Sequence, residues 1–213
     1  MKVNTDNLAW LGHAGFRLSG SRLIYFDPWE VGGPTADLIL ITHDHFDHCD
    51  PPTVKALAGP RTRIVTEPAS AAKLKAEGLG PVTVMAPGEE IEVAGVSLKA
   101  VPAYNTNKDF HPRDKNYLGF VVTLDGCSFY HAGDTDYIEE MKAIKAQVAM
   151  LPVSGTYVMT AEEAVQAALA LSPAVAIPMH YNKIIGDMSM AEAFAKALEG
   201  RLAVEIKPLA AQT

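Results

Sequence analysis

Thr42-His43-Asp44-His45-Phe46-Asp47-His48 packs three imidazoles and two carboxylates into seven residues. These side chains are the N and O donors that suit Zn²⁺ and neighbouring divalent metals. The run follows Asp37-Leu38-Ile39-Leu40-Ile41, an apolar segment that reads as a buried strand. It precedes Asp50-Pro51-Pro52, where Asp50 is placed to cap a helix that carries proline in its first turn. The donors therefore lie on a loop at a strand's C-terminal end, where rigid backbone aims them. His43 and His45, two apart, point the same way from an extended loop. Asp47 and His48 come after the chain has begun to turn. That spacing fits two metal ions better than one. Packed without metal, these groups would need many partners or exposure to water.

Composition narrows the class. At 213 residues, 48% hydrophobic and 20% charged, the chain reads as one globular domain, 1–213, with a sizeable core. A formal charge of −7 argues against a basic footprint for long nucleic acid. No apolar run approaches the ~20 residues that span a bilayer, so no membrane partner is expected. The N-terminus, Met1-Lys2-Val3-Asn4-Thr5-Asp6, lacks an apolar signal core. Cys49 and Cys127 imply no disulfide framework, and the expected compartment is the cytoplasm. A homo-oligomer stays open.

Strand and turn signals continue outward from the histidine loop. Upstream, Leu8–Leu11, Phe16–Leu18 and Arg22–Phe26 read as strands, the first two around Gly12-His13-Ala14-Gly15. Downstream, Pro51–Leu57 and Ala69–Glu77 read as helices, and Thr62–Thr66 and Val82–Met85 as strands. Glu90–Val93 with Val96–Val101, and Tyr117–Leu124 with Ser128–His131, form hairpins about Ala94-Gly95 and Asp125-Gly126. Between them Tyr104–Asn116 is a long polar loop of the kind that carries function. Tyr137–Lys145 reads as a helix, and Val148–Leu151 and Ala174–Ile177 as strands. Capping boxes at Thr160 and Ser189 open two more helices, and Leu202–Ile206 closes the chain as a strand. Two sheets with helices outside, a four-layer αββα sandwich, suits this order.

The pattern His43-x-His45-x-Asp47-His48 resembles the signature of the metallo-β-lactamase superfamily. Leu11–Phe16, Tyr25-Phe26-Asp27-Pro28, His131-Ala132-Gly133-Asp134-Thr135 and Pro178-Met179-His180-Tyr181 resemble its small metal-dependent hydrolases related to ascorbate-6-phosphate lactonase. The resemblance runs from about Trp10 to about Phe194. It implies the αββα fold and a pair of divalent ions, zinc first, with manganese or iron as alternatives. It implies Asp134 as the carboxylate shared by both ions and His180 as a ligand of the second. The family's usual histidine after Ala100-Val101-Pro102-Ala103 is replaced by Tyr104-Asn105. His111 is the favoured substitute, with Asn105 or water as the other options. Asp27 is typed as a support for a ligating histidine, a role the family also gives it. His13 and His131 stand as candidates for the cavity wall or for supporting contacts. Cys49 is not expected to ligate.

The expected chemistry is hydrolysis of a small ester, lactone or phosphoester, with Asp47 and Asp134 orienting the nucleophile. Tyr157 and Tyr181 are candidate donors to a developing oxyanion. The expected partner is a small-molecule substrate. Other readings are a metallated ligand-binding pocket, a nuclease or phosphodiesterase on nucleotides, and a di-iron oxidoreductase. β-Lactam hydrolysis is disfavoured, because fold resemblance does not transfer substrate.

Overall fold

The computed structural model describes residues 3–211. Met1 and Lys2 of the N-terminal stretch read above lie outside the described residues, as do Gln212 and Thr213. The first sheet contains β1 (Leu8–Gly12), β2 (Gly15–Ser19), β3 (Leu23–Phe26), β4 (Leu38–Leu40), β5 (Arg63–Thr66) and β6 (Val82–Val84), in that spatial order. Its first three strands pair antiparallel, and β3 to β6 pair parallel. Helices α1 (Pro51–Leu57) and α2 (Pro68–Ala76) make the β4–β5 and β5–β6 crossovers.

The second sheet contains β7 (Glu90–Val93), β8 (Val96–Pro102), β9 (Leu118–Leu124), β10 (Cys127–His131), β11 (Val148–Pro152), β12 (Val175–Met179) and β13 (Ala203–Val204). Its order runs from β13 through to β7. Strands β7 to β10 pair antiparallel, and β10 to β13 parallel. Helix α3 (Ala161–Leu171) packs on β11, and α4 (Met188–Ala197) on β12.

Strand alternation explains the layering. Ile24, Phe26, Leu38 and Leu40 share one cluster with Leu98, Phe120 and Val122 of the second sheet. Their neighbours Tyr25, Ile39 and Ile41 turn the other way, to Val54 and Leu57 of α1 and Leu74 of α2. Both faces of the central strands are covered, so they read as unbroken apolar runs rather than alternating ones. This is the αββα arrangement.

Several local expectations hold and three need correction. Asp50 caps α1 by accepting from Thr53 N, and the Thr160–Glu163 capping box opens α3. The expected helix over 137–145 is only a 3-10 stretch, Glu139–Ala143, flanked by extended Ile138 and Ile144 and lacking a side-chain cap. Helix α4 begins at Met188, ahead of the Ser189 box, because Asp187 accepts from Ser189 N at 2.8 Å and takes the cap. The closing strand shrinks to Ala203–Val204, since it pairs on one side only, with β12.

Candidate metal centre

The parallel strands of both sheets deliver their C-terminal ends to one place. The histidine loop follows β4, Asp27 follows β3, Asp134 follows β10, Ser154 follows β11 and His180 follows β12. His13 sits in the β1–β2 turn, and its carbonyl accepts from His180 N at 2.9 Å, tying the two sheets together. Three residues here are held in the left-handed region, His13 at φ 53°, Asp27 at 40° and His180 at 63°. Strain of this kind costs about 1–3 kcal/mol per residue and persists where surroundings over-determine it. Gly133, at φ 64°, precedes Asp134; a Cβ there would lie 2.7 Å from Leu118 O, so only glycine lets this turn pack.

Asp27 sets the ring orientation on one side. It is fully buried and accepts from Thr42 N (2.8 Å), Thr42 Oγ1 (2.7 Å) and His48 Nδ1 (2.8 Å). Thr42 spends its hydroxyl hydrogen on Asp27, so the same oxygen accepts from His43 Nδ1 at 2.8 Å. Both imidazoles thereby keep a hydrogen on Nδ1, which turns Nε2 into the site. His111 uses Nδ1 against Asn105 Oδ1 (3.1 Å) and Tyr157 O (3.2 Å). His180 Nδ1 lies 2.9 Å from Ser154 Oγ.

Asp134 lies where these rings converge. Its Oδ1 is 3.3 Å from His48 Nε2, and its Oδ2 is 3.0 Å from His180 Nε2 and 3.3 Å from His111 Nε2. Two donor sets stand on either side of it. His43, His45 and His111 form one, and His13, Asp47, His48 and His180 the other, each with donor atoms within 4.8 Å of one another. A third set joins His43, His48 and Asp134.

Charge and burial test whether metals suit these donors. The Nε2 atoms of His48, His111 and His180 and Oδ1 of Asp134 are buried with no hydrogen-bond partner. Buried polar atoms left so are costly unless something else satisfies them. A divalent ion does so for imidazole lone pairs and carboxylate oxygens alike. Burial, aided by neighbouring His48, holds His43 well below the ordinary imidazole range, in the neutral form that ligates. Burial likewise lowers His13 to about 4, against its bond to Asp47. Burial opposes ionisation of Asp134, but His180 and His48 outweigh it and hold the carboxyl well below its usual range. Asp47 is lowered to about 2, because the hydrogen bond from His13 overcomes its burial. The donor groups fit divalent metal.

A family model described as "Beta-lactamase superfamily domain" matches residues 7–180. The chain belongs to the metallo-β-lactamase superfamily. A UPF0173 metal-dependent hydrolase of Thermoplasma acidophilum is 37% identical over 188 residues, covering 82% of this chain and 83% of the relative. The structure of a candidate metal-dependent hydrolase from Parabacteroides distasonis is 33% identical with a TM-score of 0.84, covering 95% of this chain and 93% of that one. Igni18, a metallo hydrolase of Ignicoccus hospitalis, is 25% identical with a TM-score of 0.77 over 97% and 96% of the two chains. Among the described residues no helix is long and apolar enough to cross a membrane.

The superfamily pattern and this chain diverge at the loop after β8. His111 stands beside His43 and His45, its ring 5.0 and 4.9 Å from theirs. Asn105 does not enter the donor set. Its Oδ1 accepts from both His111 N (2.9 Å) and the His111 ring, and its Nδ2 donates to Asp136 and Tyr157 O. Asn105 thus holds in place the histidine that comes six residues later. Two other candidates lie apart from the donors. His131 bonds Ala14 O and Gly133 N and stacks on Phe26 at 5.3 Å, a packed core position. Tyr181 is buried against Trp10, with ring centroids 4.8 Å apart, and does not line the cavity over the donors. Tyr157 does line that cavity. Sequence reasoning gave no role to Ser154, Thr42, Tyr117 or Lys73. Tyr117 donates to Asp44 Oδ1 at 2.8 Å, and Lys73 donates to the Asp44 and Cys49 carbonyls. Thr42 lay in plain sight beside His43, but a threonine at a strand end carries no distinguishing signal.

Proposed function

We propose that this chain is a dinuclear metal-dependent hydrolase of a small ester, lactone or phosphoester. His43, His45 and His111 would hold one ion and Asp47, His48 and His180 the other, with Asp134 shared. Zinc suits this mixture of imidazole and carboxylate best, and manganese or iron are alternatives. When bound, such a pair makes hydroxide available near neutral pH and polarises the substrate oxygen. The chain's own groups do the rest. Asp134 and Asp47, both held ionised, would orient the attacking water. His13 Nε2, 2.9 Å from Asp47 Oδ2, keeps that carboxylate aimed. Tyr157, which lines the cavity over the donors, would donate to developing negative charge. The observation that carries this reading is the convergence of two donor sets on one buried carboxylate. Two free cysteines suit a reducing compartment such as the cytoplasm.

The test is a screen of zinc- and manganese-loaded protein against carboxylic esters, lactones and phosphodiesters. An Asp134→Ala control should abolish turnover and lower metal content from about two ions per chain. Wild-type rates in that variant would reject the mechanism.

A further inference from the structure

A cavity of about 490 Å³ opens over the donor sets. Ligand sites of this size are usual for small molecules. Beyond the donors its lining is Phe46, Phe110, Tyr157, Ile184, Asp44 and Lys73. Three of these are large apolar side chains left open to water, Phe46 at 64%, Phe110 at 48% and Ile184 at 41% exposure. Isolated exposed apolar residues are ordinary, but their concentration at one rim marks a contact surface. The rim is also ordered by ring contacts. Trp29 meets Phe46 edge-on at 5.7 Å, and Phe110 meets Tyr157 edge-on at 4.6 Å.

Polar recognition is scarce by comparison. Among the described residues Lys73 is the one cation in that lining, and its Nζ is already committed to the Asp44 carbonyl (3.1 Å) and the Cys49 carbonyl (2.6 Å). Asp44 is engaged by Tyr117. No arginine lines the cavity, so a second anionic group on the substrate, away from the reacting centre, would meet no bidentate partner.

The geometry points to a substrate whose reacting ester or lactone carries an uncharged alkyl or aryl group, seated between Phe46 and Phe110. Phosphorylated or sugar-like groups are not the fit. This rests on the hydrolase reading above and names the substrate class for that site.

The experiment uses metal-replete protein and p-nitrophenyl esters from acetate to octanoate, with p-nitrophenyl phosphate alongside. Octanoate and inorganic phosphate serve as binding probes by calorimetry. Wild-type kcat/KM should rise roughly fourfold per added methylene until the cavity is filled. The double variant Phe46→Ala/Phe110→Ala should lose at least about tenfold on the octanoate ester, in KM. The readout is the ratio of octanoate to acetate kcat/KM, which should fall by that factor, so any loss common to both esters cancels. Both positions are exposed, so the fold should survive the change.

Ester turnover with no dependence on chain length overturns the inference while leaving the hydrolase reading standing. Octanoate binding that requires the two phenylalanines, without turnover of any of these esters, supports the apolar site and removes simple esters from the hydrolase reading. Phosphate binding tighter than octanoate, or a double variant that only dissociates a dimer of this chain, also overturns it.

Discussion

Asp27→Asn is the sharpest perturbation of this centre, because it changes one atom and reverses two tautomers. The buried carboxylate accepts three hydrogen bonds, two from Thr42 and one from His48 Nδ1. An asparagine can keep its oxygen on Thr42 N, which places an NH₂ where Oδ2 stood. That NH₂ donates toward Thr42 Oγ1 and faces His48 Nδ1–H, donor against donor. His48 relieves the conflict by moving its proton to Nε2, the atom 3.3 Å from Asp134. Thr42 Oγ1, now an acceptor from the amide, turns its hydrogen to His43 Nδ1, and His43 also protonates at Nε2. Neither ring then offers the site a lone pair. Loss of such supporting contacts typically costs 10–100-fold in metal affinity, about 1.4–2.7 kcal/mol per ion. Here both ions should weaken, since His43 and His48 fall in different donor sets. Competition with a calibrated chelator would measure both dissociation constants, with circular dichroism confirming the fold. A folded variant that keeps two ions at wild-type affinity would refute the tautomer argument.

Asn105→Ala should leave His111 N without its acceptor and free the ring, costing about 1–3 kcal/mol. At about 2–4 °C per kcal/mol the melting temperature should drop by several degrees, and metal content should fall toward one ion per chain. Calorimetry and elemental analysis check this, and an unchanged melt with two ions would contradict it. Metal-stripped protein should lose stability on acidification in two stages. His13 is neutral in the fold, with its pKa lowered from 6.5 to about 4, so the unfolded chain takes up protons first and stability falls between those values, by at most about 3 kcal/mol. Asp47, lowered from 3.8 to about 2, adds a second loss as pH falls through that lower window. His48 is raised instead, burial being outweighed by Asp134 and Asp27, so its contribution is lost as pH rises above 6.5 toward its folded value. Denaturation midpoints across pH would trace this curve, and a flat line between pH 7 and 4 would refute it.

Much of the architecture was legible locally. Apolar runs such as Leu38–Leu40 and Val148–Pro152 are continuous because both faces of those strands are covered, and the turn at Asp125-Gly126 declares its positive φ angles in residue type. Errors gathered where competition is close. Asp187 and Ser189 are both good caps, and the structure uses the first. The stretch 137–145 has helix-forming residues, but Ile138 at its start offers no side-chain cap of the kind Asp50 and Glu67 give α1 and α2.

The histidine loop, Asp134 and His180 were readable as donors from the chain alone, because residue type and position after an apolar strand are local properties. Their meeting was not. It needs two parallel sheet edges, the His180–His13 backbone bond across the sheets, and a glycine at 133. The same holds for His111, which reaches the first donor set only because Asn105 grips it from six residues upstream. Donor chemistry is written one residue at a time. Coordination is a matter of distance between segments far apart in the chain, and packing sets that distance.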